Sequence, residues 1–173
     1  HGPDSQAILV CESREFAERT AAEVERQLAL LPRASIASKA LDNSRMVVLE
    51  SREEQIAFIN LYAPEHLIIL CTNPWGVADK ITASGSVFVG GYSPESAGDY
   101  ASGTNHTLPT SGWATAYSGV NLDSYMRKIT YQELTKDGLA SLADTIITMA
   151  EGEGLDAHAA AVKVRLQKGD END

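Results

Sequence analysis

The sequence predicts an α/β protein: a parallel sheet covered on both faces, followed by a helical tail. Three observations carry this. Four short, largely apolar runs, residues 6–11 (QAILVC), 46–49 (MVVL), 66–71 (HLIILC) and 86–89 (SVFV), lack the alternation of half-solvated strands. Helix-spaced stretches of ordinary length separate them. From about Leu122 the character changes, and two amphipathic stretches follow each other with no strand between them.

Taken in order, the first run leads into a helix from about Ser13, with Phe16, Thr20, Val24, Leu28 and Leu31 at roughly four-residue spacing and Pro32 as its stop. The second run precedes Ser51 and Glu54, the S-x-x-E pattern of a capping box. That box opens a helix carrying Ile56, Ile59 and Leu61, closed by Pro64. After the third run a weaker helix is expected over 75–83, and then the fourth strand. In the tail, Thr135 can cap a helix to about Glu151 with Leu139, Leu142, Ile146 and Met149 on one face. Gly152 and Gly154 break it before a last helix over 155–167, and residues 169–173 are expected to fray. Two helices this short need a partner surface, on the sheet or on another chain.

The fourth strand opens into residues 90–109, GGYSPESAGDYASGTNHTLP, around which the chain is organised. Its Gly, Ser, Thr, Asn and Pro content predicts loop and turn. It is long for a plain connection, and it carries an acid, Asp99, and an imidazole, His106. Ligand sites in such sheets lie at the carboxyl ends of strands, where this loop begins. Glu65 and His66 precede a strand, so a simple sheet does not place them there without help.

Composition narrows the partners. With 43% hydrophobic and 22% charged residues and no long apolar run, the chain predicts a globular cytoplasmic protein with no membrane span. A formal net charge of −10 disfavours nucleic acid and anionic membrane. Cys11 and Cys71 end strand-like runs and are expected to be reduced thiols in the core. The chain does not begin with Met, so it is expected to be processed or cut from something longer.

The candidate chemistry rests on four histidines, His1, His66, His106 and His158. Glu65 and His66, adjacent at an element boundary, can act as general base and proton shuttle, or as a surface acid and a half-buried turn histidine. His158, with Glu153 about a turn before it, is either a solvated helix residue or a metal ligand. Zinc needs three or four converging donors, and positions 1, 99, 106 and 158 match no local zinc signature. There is no G-x-G-x-x-G, P-loop or G-x-S-x-G element.

Several stretches together resemble one family, histidinol dehydrogenase. They are HGPDSQAIL at the start, NLYAPEHL at 60–67, GSVFVGGYSPESAGDYASGTNHTLPTSG at 85–112, and TYQELTKDGL and LDAHAAAVKVRL in the tail. The resemblance covers nearly the whole chain in collinear order. It implies an incomplete Rossmann-like α/β portion over 1–121 and a helical tail over 122–173 that crosses to the second subunit of a homodimer. It implies zinc held by His1, Asp99 and His158, catalysis by Glu65 and His66, and a substrate pocket formed by His1, His66, Asp99, His106, Glu153 and His158. Glu153 and His158 would complete the partner's site. The implied reaction oxidises L-histidinol through the aldehyde to L-histidine with two NAD.

The family enzyme is more than twice this long, and the likeness is to its C-terminal portion. Its NAD-contacting residues and a zinc-binding Gln lie upstream of His1, so this chain alone is expected to be inactive. Two other readings are a stand-alone dimerisation or ligand-binding module, and a copper site formed by the amine and imidazole of His1.

Overall fold

The computed structural model describes residues 2–167; the expected zinc ligand His1 and the expected frayed end at 169–173 lie outside them. It divides into two units, His1–Met126 and Arg127–Asp173. The first carries β1 (Ile8–Cys11), α1 (Arg14–Leu28), α2 (Ala34–Asn43), β2 (Arg45–Val48), α3 (Arg52–Tyr62), β3 (His66–Ile69), α4 (Pro74–Ala78), β4 (Ser86–Val89) and α5 (Glu95–Tyr100). Two 3₁₀ turns, Trp113–Thr115 and Leu122–Tyr125, follow. The second unit holds α6 (Lys136–Gly152) and α7 (Asp156–Gln167), packed against each other.

The fold is mixed α/β with parallel pairing, as expected, but the four strands form two two-stranded sheets rather than one. β1 pairs with β2 and β3 with β4, both parallel. Leu49 N–H donates to Cys11 O and Gly90 N–H to Ile69 O, each at 2.9 Å, extending the two ladders by one step.

Alternation assigns the faces of the β3–β4 sheet. Ile69 is buried with Ile56 of α3 and Val77 of α4, and Leu67 and Val87 pack against them. His66, Ile68 and Phe88 therefore share the opposite face, since Ile68 is the register partner of Phe88.

Caps account for where helices begin. Ser13 Oγ accepts from Phe16 N–H at 3.2 Å, Ser51 Oγ from Glu54 N–H at 3.3 Å, and Thr135 Oγ1 from Gly138 N–H at 3.1 Å. Ser51 also donates to Glu53 Oε2 at 3.1 Å. Ser51→Ala is expected to destabilise the fold by about 1 kcal/mol. Urea titration with an unchanged slope checks it.

α3 ends at Tyr62 because Ala63, at φ 50°, turns the chain left-handed just before Pro64. Ala63 is 1% exposed and clusters with Ala83 and Ala114, which fixes the approach to β3. The Tyr62 hydroxyl donates to Gln6 Oε1 at 2.6 Å, tying α3 to the segment before β1.

Several expected details differ. Phe16, Leu31 and Leu61 are exposed, whereas Thr20, Val24 and Leu28 of α1 turn inward as expected, joined by Ala17. The weak fourth helix is only Pro74–Ala78, with Asn73 Oδ1 accepting from Gly76 N–H at 3.1 Å. On α6 the small residues Ala143 and Ala150 are buried, while Leu142 and Met149 are exposed. Alanines at these positions let α7, with buried Ala159 and Val162, approach closely. Cys11 is buried, Cys71 is partly buried, and both are free thiols. Among the described residues no helix is long and apolar enough to cross a membrane.

Candidate functional site

The site begins at His66, the first residue of β3. Its neighbour Glu65 accepts Ser86 N–H on its backbone oxygen at 2.9 Å, and Gly85 N–H donates to Pro64 O at 2.9 Å. Gly85 allows this approach: a Cβ there would stand 2.5 Å from Glu65 O, 3.1 Å from Leu108 Cβ and 3.2 Å from Pro109 Cδ. The start of β3 is thus pinned both to the start of β4 and to the returning end of the 90–109 loop.

That loop is not all loop. Residues Glu95–Tyr100 form α5, with Pro94 preceding it in extended conformation. Ser93 Oγ donates to Val89 O at 2.9 Å, which turns the chain back after β4. Gly98 then lies on the Phe88 ring; a Cβ at Gly98 would be 2.5 Å from Phe88 Cε1 and 2.7 Å from Thr104 Oγ1. Thr104 Oγ1 itself donates to Gly98 O at 3.1 Å. Because α5 folds back along the face carrying Phe88, it reaches the His66 end of the sheet. This is the help a simple sheet lacks.

One helical turn separates Glu95 from Asp99, so both carboxylates face the same way. Glu95 Oε1 lies 3.7 Å and Asp99 Oδ1 3.9 Å from His66 Nε2. Asp99 is deeply set, its side chain 11% exposed. The His66 ring stacks on Phe88 with centroids 6.1 Å apart and planes at 23°. His66 Nε2 is buried and has no hydrogen-bond partner. Burial first, and then the hydrogen bond to and charge of Asp99, push the Glu95 carboxyl above its ordinary value. The charge of Glu65 adds to that push, and His66 opposes it.

The three ligand atoms of His66, Glu95 and Asp99 lie within 4.8 Å of one another. An imidazole and two carboxylates suit a zinc-like divalent cation, and the orphaned Nε2 faces the same spot. Glu95 was not expected from the sequence. Its place at i−4 from Asp99 is readable, but only if 95–100 is taken as helix.

The other expected residues fall elsewhere. His106 is exposed beyond α5, where Asn105 Oδ1 accepts Thr107 N–H at 2.6 Å. Glu153 caps the end of α6 and His158 lies in the first turn of α7, both exposed, in the second unit. A cavity of about 400 Å³ between α1 and α2 is lined by Val24, Leu28, Ile36 and Ala37. It contains none of the described candidate residues, and chemistry, not volume, selects the His66 cluster.

The histidinol dehydrogenase family model matches residues 1–166. The chain belongs to the histidinol dehydrogenase family. A histidinol dehydrogenase from Bacteroides fragilis strain YCH46 is 54% identical over 168 residues, 97% of this chain and 39% of the relative. One from Aliivibrio fischeri is 51% identical over 97% of this chain and 38% of its own length. The crystal structure of histidinol dehydrogenase from Elizabethkingia anophelis matches with a TM-score of 0.90 and 57% identity, over 96% of this chain and 39% of that one. The chain therefore spans about two-fifths of the length of these histidinol dehydrogenases.

Proposed function

We propose that this chain supplies the C-terminal part of a zinc-dependent, NAD-linked dehydrogenase that oxidises L-histidinol through the aldehyde to L-histidine. The observation that carries it is the convergence of His66, Glu95 and Asp99 at the one sheet end where the family-like segments 60–67 and 85–112 meet.

Asp99 would bind zinc with His1 and with His158 of a second copy, whose Glu153 would line the same pocket, the tail crossing between subunits. Zinc, when bound, supplies the positive charge that orients the substrate through its amino and imidazole nitrogens, without change of oxidation state. NAD, which residues outside this chain would hold, would supply the hydride acceptor for each of the two oxidations.

The chain's own residues do the proton chemistry. His66 accepts the hydroxyl proton as the alcohol carbon gives up hydride, leaving the aldehyde. Once that proton has passed to solvent, His66, assisted by Glu65, removes a proton from the water that adds to the aldehyde carbon in the second oxidation. The hydrate then loses hydride to give the acid. Neither thiol takes part, consistent with the buried place of Cys11. His106 lines the substrate pocket.

The test is NADH formation from L-histidinol. The chain alone is expected to give none. Co-expressed with the upstream region of a full-length relative and loaded with zinc, it is expected to give NADH. A folded, zinc-loaded assembly that never reduces NAD overturns the reading. The second reading, a stand-alone module, draws on Leu61, Leu70 and Trp75, which are exposed and call for a covering surface. It would be favoured by a stable zinc-free dimer of the chain that gains no activity from the upstream region.

A further inference from the structure

We propose that Glu95 is a positioning residue for His66: its carboxylate holds the Nε2 edge of the imidazole toward α5 when Asp99 is committed to a cation. The proposal rests on the reading of His66 as the proton carrier and Asp99 as a metal ligand.

Two kinds of contact restrain the ring. Phe88 stacks on it and fixes its plane. Stacking is blind to a half-turn about the Cβ–Cγ axis, which exchanges Nε2 for Cε1 and Nδ1 for Cδ2 and keeps the ring plane in place. Only a polar neighbour at the ring edge distinguishes the two orientations. At Nε2 backbone groups supply none, since that atom has no hydrogen-bond partner. The neighbours it has are Glu95 Oε1 at 3.7 Å and Asp99 Oδ1 at 3.9 Å, and both attract an N–H edge over a C–H edge. An Asp99 carboxylate that ligates zinc shares its charge with the ion. Glu95 is then the carboxylate left to select the orientation, as the outer partners of metal-site histidines do. Its own place is set by packing: α5 has no side-chain N-cap, and Gly98 against Phe88 holds it down. Glu65 also acts on Glu95, but it precedes β3 in the chain and belongs to the same strand entry as His66.

The test is ring orientation by proton–nitrogen correlation and nuclear Overhauser spectra of the 173-residue chain, with His66 signals assigned by His66→Gln. In the wild type a single orientation is expected, favoured by about tenfold or more. Asp99→Asn stands in for a committed Asp99 without needing zinc, and it is expected to keep that orientation. Asp99→Asn combined with Glu95→Gln is expected to show both orientations in comparable amounts, with the melting temperature close to that of Asp99→Asn alone. Glu95→Gln retains side-chain volume, so the comparison survives if Glu95→Ala fails to fold. A single orientation persisting in the double variant overturns the proposal. Zinc titration of the wild type and of Asp99→Asn separately tests the reading beneath it: equal affinity would remove Asp99 as a ligand while leaving the ring-orientation result standing.

Discussion

Replacing His66 by alanine in the assembled, zinc-loaded enzyme is expected to lower kcat for histidinol oxidation by about 10²–10⁴-fold, the usual contribution of a positioned proton acceptor. Zinc content should stay near that of the wild type, because in this reading the metal is held by His1, Asp99 and His158. Asp99→Ala is expected to do the reverse first, lowering zinc affinity by at least about 100-fold, beyond what loss of an outer partner costs, and losing activity with the metal. Steady-state kinetics paired with metal analysis separates the two. Were His66→Ala to lose zinc as completely as Asp99→Ala, the His66, Glu95 and Asp99 cluster would itself be the ion site. The division of labour proposed for these residues would then be wrong.

The second large effect is expected at Gly98. Alanine there places a methyl group 2.5 Å from Phe88 Cε1 and 3.0 Å from Phe88 Cζ. The obstacle is a ring held by its own strand, not the free end of a flexible side chain. Overpacking of this kind costs about 1–3 kcal/mol, and the better helix propensity of alanine returns at most about 1 kcal/mol. The rest of the strain can be relieved by lifting α5, which carries Glu95 and Asp99 away from His66. Gly98→Ala is therefore expected to lower stability and zinc affinity together, read by urea titration and calorimetry. Phe88→Leu in the same chain removes the offending ring atoms and should recover part of the stability, a coupling that independent sites would not show.

Why Glu95 escaped a reading of the sequence follows from the same packing. Residues 95–100 make a six-residue helix with a proline before it and a glycine inside it, so neither length nor apolar period marks it. It meets the sheet through Gly98 against the Phe88 ring and through Glu95 and Asp99 beside His66. Strand β4, by contrast, was legible to the residue, because SVFV is short, branched and bounded by glycines. The apolar run at 66–71 outlasts β3 by two residues, since Leu70 and Cys71 share its apolar character but make no ladder step.

Helix α2 had a usable signal: Ile36, Ala37, Ala40 and Leu41 recur at helical spacing just after Pro32. The split into two sheets had none, because strand pairing is decided between residues far apart in sequence. His66 and Asp99 stand out by residue type and place, a Glu-His pair at an element boundary and an acid in a long loop, and the family likeness adds their roles. Their meeting depends on the turn at Ser93, which joins the end of β4 to α5 and lets the helix fold back toward the start of β3.

The two halves of the His66 cluster are held by different means, and that bears on how a cation enters. His66 stands on a ladder, with Gly85, Ser86 and Gly90 donating across it at 2.9 Å. Glu95 and Asp99 stand on a single short helix whose first turn no side chain caps. Amides of 95–100 are expected to exchange with solvent sooner than those of β3 and β4, as weakly tied segments do. In the proposed reading Asp99 is the zinc ligand carried by this helix, so a local opening of α5 would release one ligand while the sheet beneath stays shut.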